Sequence, residues 1–315
     1  MTTFDARVDV VYVGATARSG STIIEHHLAE ALAAVAIGET VYLWHRGVES
    51  DHRCGCGERF SRCPFWTRVI EQGQVLGRHA DGLRELWEGQ LHRLTAIPRI
   101  VLRGRRDRTL AAAADAYDEL FRAVAEVGGR AIIVESSKHP AFWLFLRLVP
   151  RARLHTLHVI RDSRAVAFSW RRKVVRPESS FQRTEHMLLI PHWRTALNWL
   201  VVNLLYLAIR RRPHHGEFVT LRYEDFATNP EASIDRVRAR LGLAGEGERS
   251  GRPSGADGTL HHSVSGNPVR FDPDRLAHIS LDDEWRSAMP LRFRALVTVL
   301  SLPLLVGQGY VRRRG

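Results

Sequence analysis

Between Gly14 and Thr22 the chain reads Gly-Ala-Thr-Ala-Arg-Ser-Gly-Ser-Thr, a run of small and hydroxylated residues around one arginine. Small side chains let backbone N–H groups approach a phosphate closely, and a helix starting just beyond them adds the positive end of its dipole. The hydroxyls of Ser21 and Thr22 complete a cradle for an anion. A Walker loop would need glycine, four residues, then Gly-Lys and a serine or threonine. Here the lysine is missing, and Arg18 stands instead before Ser19, Gly20, Ser21 and Thr22. A nucleotide site fits this pattern better than a magnesium-dependent NTPase site, and alone the loop is also compatible with an ordinary strand-to-helix turn.

A second stretch removes most of that ambiguity. Leu157 to Ile160 ends a strand-like run, and Arg161-Asp162-Ser163-Arg164 opens a helix-like segment that reaches Ser169. Arg161 offers a forked donor to phosphate oxygens, and Ser169, two helical turns on, can present a hydroxyl to the same anion. The order strand, Arg-Asp-x-Arg, helix, Ser resembles the 3′-phosphate-binding element of the sulfotransferase superfamily, while Arg18 to Thr22 resembles its 5′-phosphosulfate loop. The likeness continues through Gly38-Glu39-Thr40, Glu135 to Lys138, Leu221 to Asp225 and His262 to Phe271. It is to bacterial members and, more distantly, to protein-tyrosine sulfotransferases.

That resemblance implies transfer of a sulfuryl group from 3′-phosphoadenosine 5′-phosphosulfate (PAPS) to a hydroxyl, with no metal required. It implies a catalytic base at Glu39, which stands before a threonine as the base of the tyrosine enzymes does, and a lysine touching the transferred group at Lys138. Lys138 and Lys173 are the only lysines among 46 basic residues, so a compact ammonium at position 138 stands out in a chain that otherwise uses arginine. His139 is the second candidate base. It departs from the small-molecule enzymes, whose histidine lies two places after a lysine, because here the two are adjacent. Tyr223 resembles the tyrosine near the adenine, and Ser263, Ser265 and Arg270 resemble the late segment that returns to the nucleotide, with Arg270 expected on a phosphate. Which serine would face the sulfonate is not set by spacing.

Cys54, Cys56 and Cys63 lie within ten residues, with His52 nearby. Structural zinc takes four ligands, and the usual two-residue gap between paired cysteines is absent. A fourth ligand would let the cysteines bind zinc; similar segments ending in Cys-Pro-Phe-Trp occur in bacterial members of the family, where they are not assigned to catalysis, and no metal is assigned here. An odd, clustered set of cysteines also argues against a disulfide framework.

These residues need a scaffold. Val8 to Val13, Ala131 to Val134, Leu154 to Ile160 and Phe218 to Tyr223 are short apolar runs followed by polar turns, as strands are. Apolar residues at helical spacing predict a helix over Ser21 to Ala36, and Ala111 to Glu126 is a second. Asn229-Pro230-Glu231 caps a third, which ends near Leu241-Gly242. Strands alternating with helices imply an α/β fold, here a P-loop-like central parallel sheet flanked by helices, with ligands beyond the carboxyl ends of the strands. One domain spanning 1–315 is expected, with helical and loop insertions over about 44–108 and a mobile loop over about 244–258 that could order over ligand.

A formal charge of +12 suits an anionic substrate. The arginines form few dense runs, so a nucleic-acid partner is not expected. Met1 to Arg7 lacks the features of a secretory signal, which points to a cytoplasmic location. Two apolar stretches, Ala196 to Ile209 and Leu296 to Val306, are too short to span a bilayer and are interrupted by Asn203 and Pro303. They read as buried helices rather than as a membrane-surface attachment. The two rival functions are a P-loop kinase or other phosphotransferase, and a non-catalytic basic module on the same fold. The acceptor, a small molecule or glycan, and the oligomeric state are not written in the sequence; Trp44, Trp66, Trp87, Phe142, Trp143, Trp170 and Trp193 are candidates to line an acceptor pocket.

Overall fold

The protein is described by a computed structural model over residues 7–78, 80–172, 175–176, 185–186, 189–211, 216–243 and 261–311. The mobile loop expected at 244–258 falls outside these residues. Strands β1 (Val8–Ala15), β2 (Val35–Gly38), β3 (Ile132–Lys138), β4 (Ala152–Ile160) and β7 (Phe218–Arg222) form one sheet in the order β2-β3-β1-β4-β7. Every pairing in it is parallel. Two-residue strands β5 (Val175–Arg176) and β6 (Glu185–His186) pair separately.

All eight residues of β1 are buried, as expected of a strand covered on both faces. Its side chains alternate between two cores. Val8, Val10 and Tyr12 pack with the helices Arg108–Gly128 and Pro140–Leu146, whereas Val11, Val13 and Ala15 pack with Ser21–Leu32 and Pro230–Leu241. Asp107 caps the long helix by accepting from the N–H groups of Thr109 and Leu110, and Gly129 closes it in the left-handed region. The segment 44–108 contributes the helices Pro64–Gln72, Ala80–Glu88 and Ile97–Arg103, whose apolar residues join the first core.

The first helix is shorter than its apolar pattern indicates. It stops at Leu32, where Ala33 takes a left-handed conformation, and Val35–Gly38 becomes edge strand β2. Val35, Ala36 and Ile37 prolong a helical pattern and also make a fully buried strand, so periodicity alone could not separate the two.

The apolar stretches at 196–209 and 296–306 lie in helices His192–Arg210 and Leu291–Gly307. Contrary to expectation, neither is buried all round. Trp199, Asn203 and Tyr206 face inward on the first while Leu197, Val201 and Leu204 are exposed, and Val299 of the second is 69% exposed. No helix among the described residues is long and apolar enough to cross a membrane.

Tyr206 ties the first of these helices to the sheet: its hydroxyl donates to the Lys138 carbonyl at 2.8 Å. A Cβ at Gly14 would lie 2.5 Å from its ring. Gly14→Ala is therefore expected to cost about 1–3 kcal/mol, as overpacking usually does, read as a lower urea midpoint at an unchanged m-value.

Candidate active site

The first strand to be laid down is central, with β3 on one side and β4 on the other. Chain direction around it therefore switches, and a crevice opens at the carboxyl ends. Five strands each deliver one candidate residue there: Arg18 follows β1, Glu39 follows β2, Lys138 ends β3, Arg161 follows β4 and Tyr223 follows β7. All five line a single cleft of about 830 Å³, together with Gly20, Ser21, Thr22 and Ser169.

The loop after β1 is held from within. Ser19, fully buried, shares a 2.8 Å hydrogen bond with the Thr16 hydroxyl and does not line the cleft. Gly20 has φ +80°, and a Cβ on it would meet the Tyr223 ring at 2.4 Å, so glycine is required both by the turn and by the ring. Arg18, at φ 73°, reaches across to Ser169, donating from Nε to Oγ at 3.1 Å and from Nη2 to the carbonyl at 3.2 Å. Burial, together with Arg161 and Arg172, lowers its pKa to about 10, which leaves it cationic at neutral pH.

Arg161 is 5% exposed. Its Nη1 donates to the Arg18 carbonyl at 3.1 Å and its Nη2 to the Asp282 carbonyl at 3.1 Å, with an Asp282 carboxylate oxygen at 3.2 Å. The guanidinium lies 4.5 Å from the Tyr223 ring centre, and Nε is buried without a hydrogen-bond partner among the described residues. Asp162 begins the following helix by accepting from the Arg164 N–H at 2.8 Å, so the Arg-Asp-x-Arg sequence is a helix cap that aims its first arginine into the cleft.

At the other end of the cleft Lys138 and Glu39 form an ion pair. Burial pushes the Glu39 carboxyl up, but Lys138 and Arg46 outweigh it and hold Glu39 below the ordinary glutamate value. It is ionised at neutral pH. Lys138 sits at φ 70°, a conformation that costs a non-glycine residue on the order of 1–3 kcal/mol and is kept only where its surroundings insist on it. Glu135 provides part of that insistence: it accepts from the Thr40 N–H and hydroxyl at 3.0 and 2.9 Å and from the Ser137 N–H at 3.0 Å. A second buried acid, Glu25, accepts from the Gly38 N–H at 2.8 Å and the Ser136 hydroxyl at 2.6 Å. Burial raises both acids to about 7.

His139 is placed differently. Its Nε2 lies 3.2 Å from the Tyr42 hydroxyl, it does not line the cleft, and burial lowers its pKa to about 4.

The sulfotransferase family model matches residues 10–246. The chain belongs to the sulfotransferase family. Among solved structures, the sulfotransferase domain from the curacin biosynthetic pathway aligns with a TM-score of 0.50 at 14% identity, covering 95% of this chain and 97% of that one. The sulfotransferase domain of the Synechococcus PCC 7002 olefin synthase aligns at 0.44 and 19% identity, covering 94% and 95%. Sulfotransferase STF9 from Mycobacterium avium aligns at 0.46 and 14%, covering 96% and 77%. No curated protein matches. The observed parallel sheet with flanking helices is the α/β fold expected from the sequence.

Three further residues expected to bind the nucleotide are not among those lining the cleft, although Gly266 to Val269, between them, are. Arg270 is buried against the Phe271 ring, with Nη2 donating to the Arg53 carbonyl at 2.9 Å. Ser263 abuts Gly38 and Gly55, and Ser265 accepts from Arg46 while its carbonyl holds the Glu39 N–H at 3.2 Å. Spacing could not reveal this, because the late segment lies along the edge of the sheet: the Ala36 and Ile37 carbonyls take the N–H groups of His262 and Val264. Sequence reasoning also missed Tyr42, Arg46 and Asp282, which line the cleft. None of them sits in a recognisable motif. Of the aromatic candidates, Trp170 lines the cleft, whereas Trp66, Phe142 and Trp143 are core.

Proposed function

We propose that the chain transfers a sulfuryl group from PAPS to a hydroxyl of a small-molecule or glycan acceptor: a carbohydrate, phenol, lipid or natural product. The observation that carries this reading is the meeting of Arg18 and Arg161 in one cleft, 3.1 Å apart from guanidinium to carbonyl. Two separate phosphate-type elements meeting in one crevice match a nucleotide with two phosphate groups. The loop from Arg18 to Thr22 holds the 5′ end, Arg161 and Ser169 the 3′-phosphate, and the Tyr223 ring the base. The unpartnered Nε of Arg161 is a buried donor that an anion satisfies.

The donor supplies an activated sulfuryl group with a phosphate as its leaving group. Glu39 accepts the proton of the acceptor hydroxyl as that oxygen bonds to sulfur. Arg18 and Lys138 counter the negative charge on the sulfonate and on the departing phosphate oxygen, in a site where fixed charges need little reorganisation. His139, neutral and hydrogen-bonded to Tyr42, stays outside the proton transfer.

We place the 3′-phosphate beside Asp282, whose carboxylate pairs with both Arg161 and Arg172. An incoming anion displaces it. Asp282→Asn is accordingly expected to tighten adenosine 3′,5′-bisphosphate binding by about twofold to fivefold, since a partly exposed ion pair is worth up to about 1 kcal/mol; weaker binding would place the phosphate elsewhere.

The whole reading is tested by calorimetry with adenosine 3′,5′-bisphosphate against ATP and magnesium, and by transfer of labelled sulfate from PAPS into an extract of the source cells. Tight binding of the bisphosphate and a labelled product are expected. Preference for ATP with magnesium would favour a phosphotransferase, and the absence of any saturable nucleotide site would favour a non-catalytic module.

A further inference from the structure

Away from the cleft, the three cysteines converge on a residue almost two hundred positions later, His262. The Sγ atoms of Cys54 and Cys63 are 3.6 Å apart, as are those of Cys56 and Cys63. His262 Nδ1 stands 3.5 Å from the Cys63 sulfur and 3.8 Å from that of Cys54. All four donor atoms lie within 4.8 Å of one another. His52, the histidine nearest in sequence, is not among them.

From these positions we infer that Cys54, Cys56, Cys63 and His262 bind one structural zinc ion. With Zn–S near 2.3 Å and Zn–N near 2.0–2.1 Å, a tetrahedral site has edges of about 3.8 Å between sulfurs and about 3.6 Å between sulfur and nitrogen. The four separations of 3.5 to 3.8 Å match four of its six edges, and the other two lie within 4.8 Å. Sulfurs 3.6 Å apart are not bonded to one another, and all three cysteines are free. Three thiolates and an imidazole select zinc over oxygen-seeking magnesium or calcium. Four protein donors leave no open position, the mark of a structural rather than a catalytic site.

The surroundings are those of a built site. Cys54, Cys63 and His262 are buried, and the His262 ring stacks on Phe65 at 4.2 Å with 8° between the planes. Trp66 Nε1 donates to the His262 carbonyl at 2.8 Å and fixes the backbone of the distant ligand. The Cys-x-Cys turn is closed by the Cys54 N–H on the Glu58 carbonyl and the Gly57 N–H on the Cys54 carbonyl. Gly55 sits where a Cβ would come 2.6 Å from the Ser263 hydroxyl, so the one-residue gap between the cysteines can be occupied by glycine and little else.

The ion ties the segment inserted after β2 to the strip 262–265. That strip bonds along β2 and ends with the Ser265 carbonyl on the Glu39 N–H. Zinc would therefore act at a distance as a positioning device, setting the strip that holds the Glu39 backbone.

The full chain, expressed with zinc in the medium and purified in reducing buffer without chelator, is expected to contain one zinc per chain by mass spectrometry of the metal. Its X-ray absorption spectrum is expected to show three sulfurs and one nitrogen around the ion. His262→Cys should keep the metal, since four thiolates also suit zinc, whereas Cys54→Ala/Cys63→Ala should lose it. Removing zinc with a strong chelator should lower Tm, read without any assay of sulfuryl transfer. Substoichiometric zinc, another metal in its place, or an intact mass lighter by two hydrogens from a disulfide would overturn the assignment. Full zinc retention in the double variant would do the same, and so would a Tm unmoved by complete removal.

Discussion

Glu39→Gln is expected to lower turnover by about a hundred- to ten-thousand-fold, the usual contribution of a positioned general base, while the affinity for adenosine 3′,5′-bisphosphate changes less than about twofold. The amide keeps the size of the side chain and its place at the end of β2 but cannot take a proton. Lys138 loses its charged partner and gains no new one, so the half of the cleft proposed to hold the nucleotide, built on Arg18 and Arg161, is untouched. Steady-state kinetics and calorimetry on the same preparation separate the two readouts. Because Lys138 and Arg46 hold the Glu39 carboxyl below the ordinary glutamate value, which is near 4.3, the acid limb of kcat/KM should fall below that pH. Turnover that survives Glu39→Gln and vanishes in His139→Asn would transfer the role to the histidine.

Arg161→Ala should act on the other half. Hydrogen bonds to a charged group are worth about 1.5–3 kcal/mol each, so losing this donor should weaken adenosine 3′,5′-bisphosphate by about tenfold to a hundredfold and adenosine 5′-monophosphate far less. The contrast matters, since a general collapse of the cleft would weaken both nucleotides alike. Arg161→Lys should recover only part of the affinity, because an ammonium cannot reproduce the fork that joins the Arg18 and Asp282 carbonyls. An unchanged dissociation constant for the bisphosphate would remove Arg161 from the phosphate.

Much of this is legible in the amino-acid sequence. Four of the five strands of the sheet announce themselves as apolar runs closed by polar turns, and Asn229, Pro230 and Gly242 bracket their helix as the sequence indicates. The exception is β2, four buried residues that continue the apolar pattern of the helix before them until Ala33 breaks it. In the cleft, Arg18, Glu39, Lys138, Arg161 and Ser169 come together because each stands next to a strand or helix end that local pattern can find. Arg270, Ser263 and Ser265 illustrate the opposite case. Their segment docks by backbone hydrogen bonds to β2, which any residue type can make, so side-chain identity carries no record of the path. His262 was hidden for a related reason, since a ligand supplied from so far along the chain has no spacing to read.

The sheet order has a consequence for how such an enzyme could change. Arg18, Arg161 and Tyr223 hang from β1, β4 and β7, three adjoining strands, whereas Glu39 and Lys138 hang from β2 and β3 at the other side. The long segment from 44 to 108 leaves and rejoins the chain on that second side, between β2 and β3. Gene shuffling that swaps this stretch between relatives would leave those three adjoining strands and the register between them intact. On the proposed function, selectivity toward new hydroxyl compounds then diverges while the currency they are sulfated with is conserved.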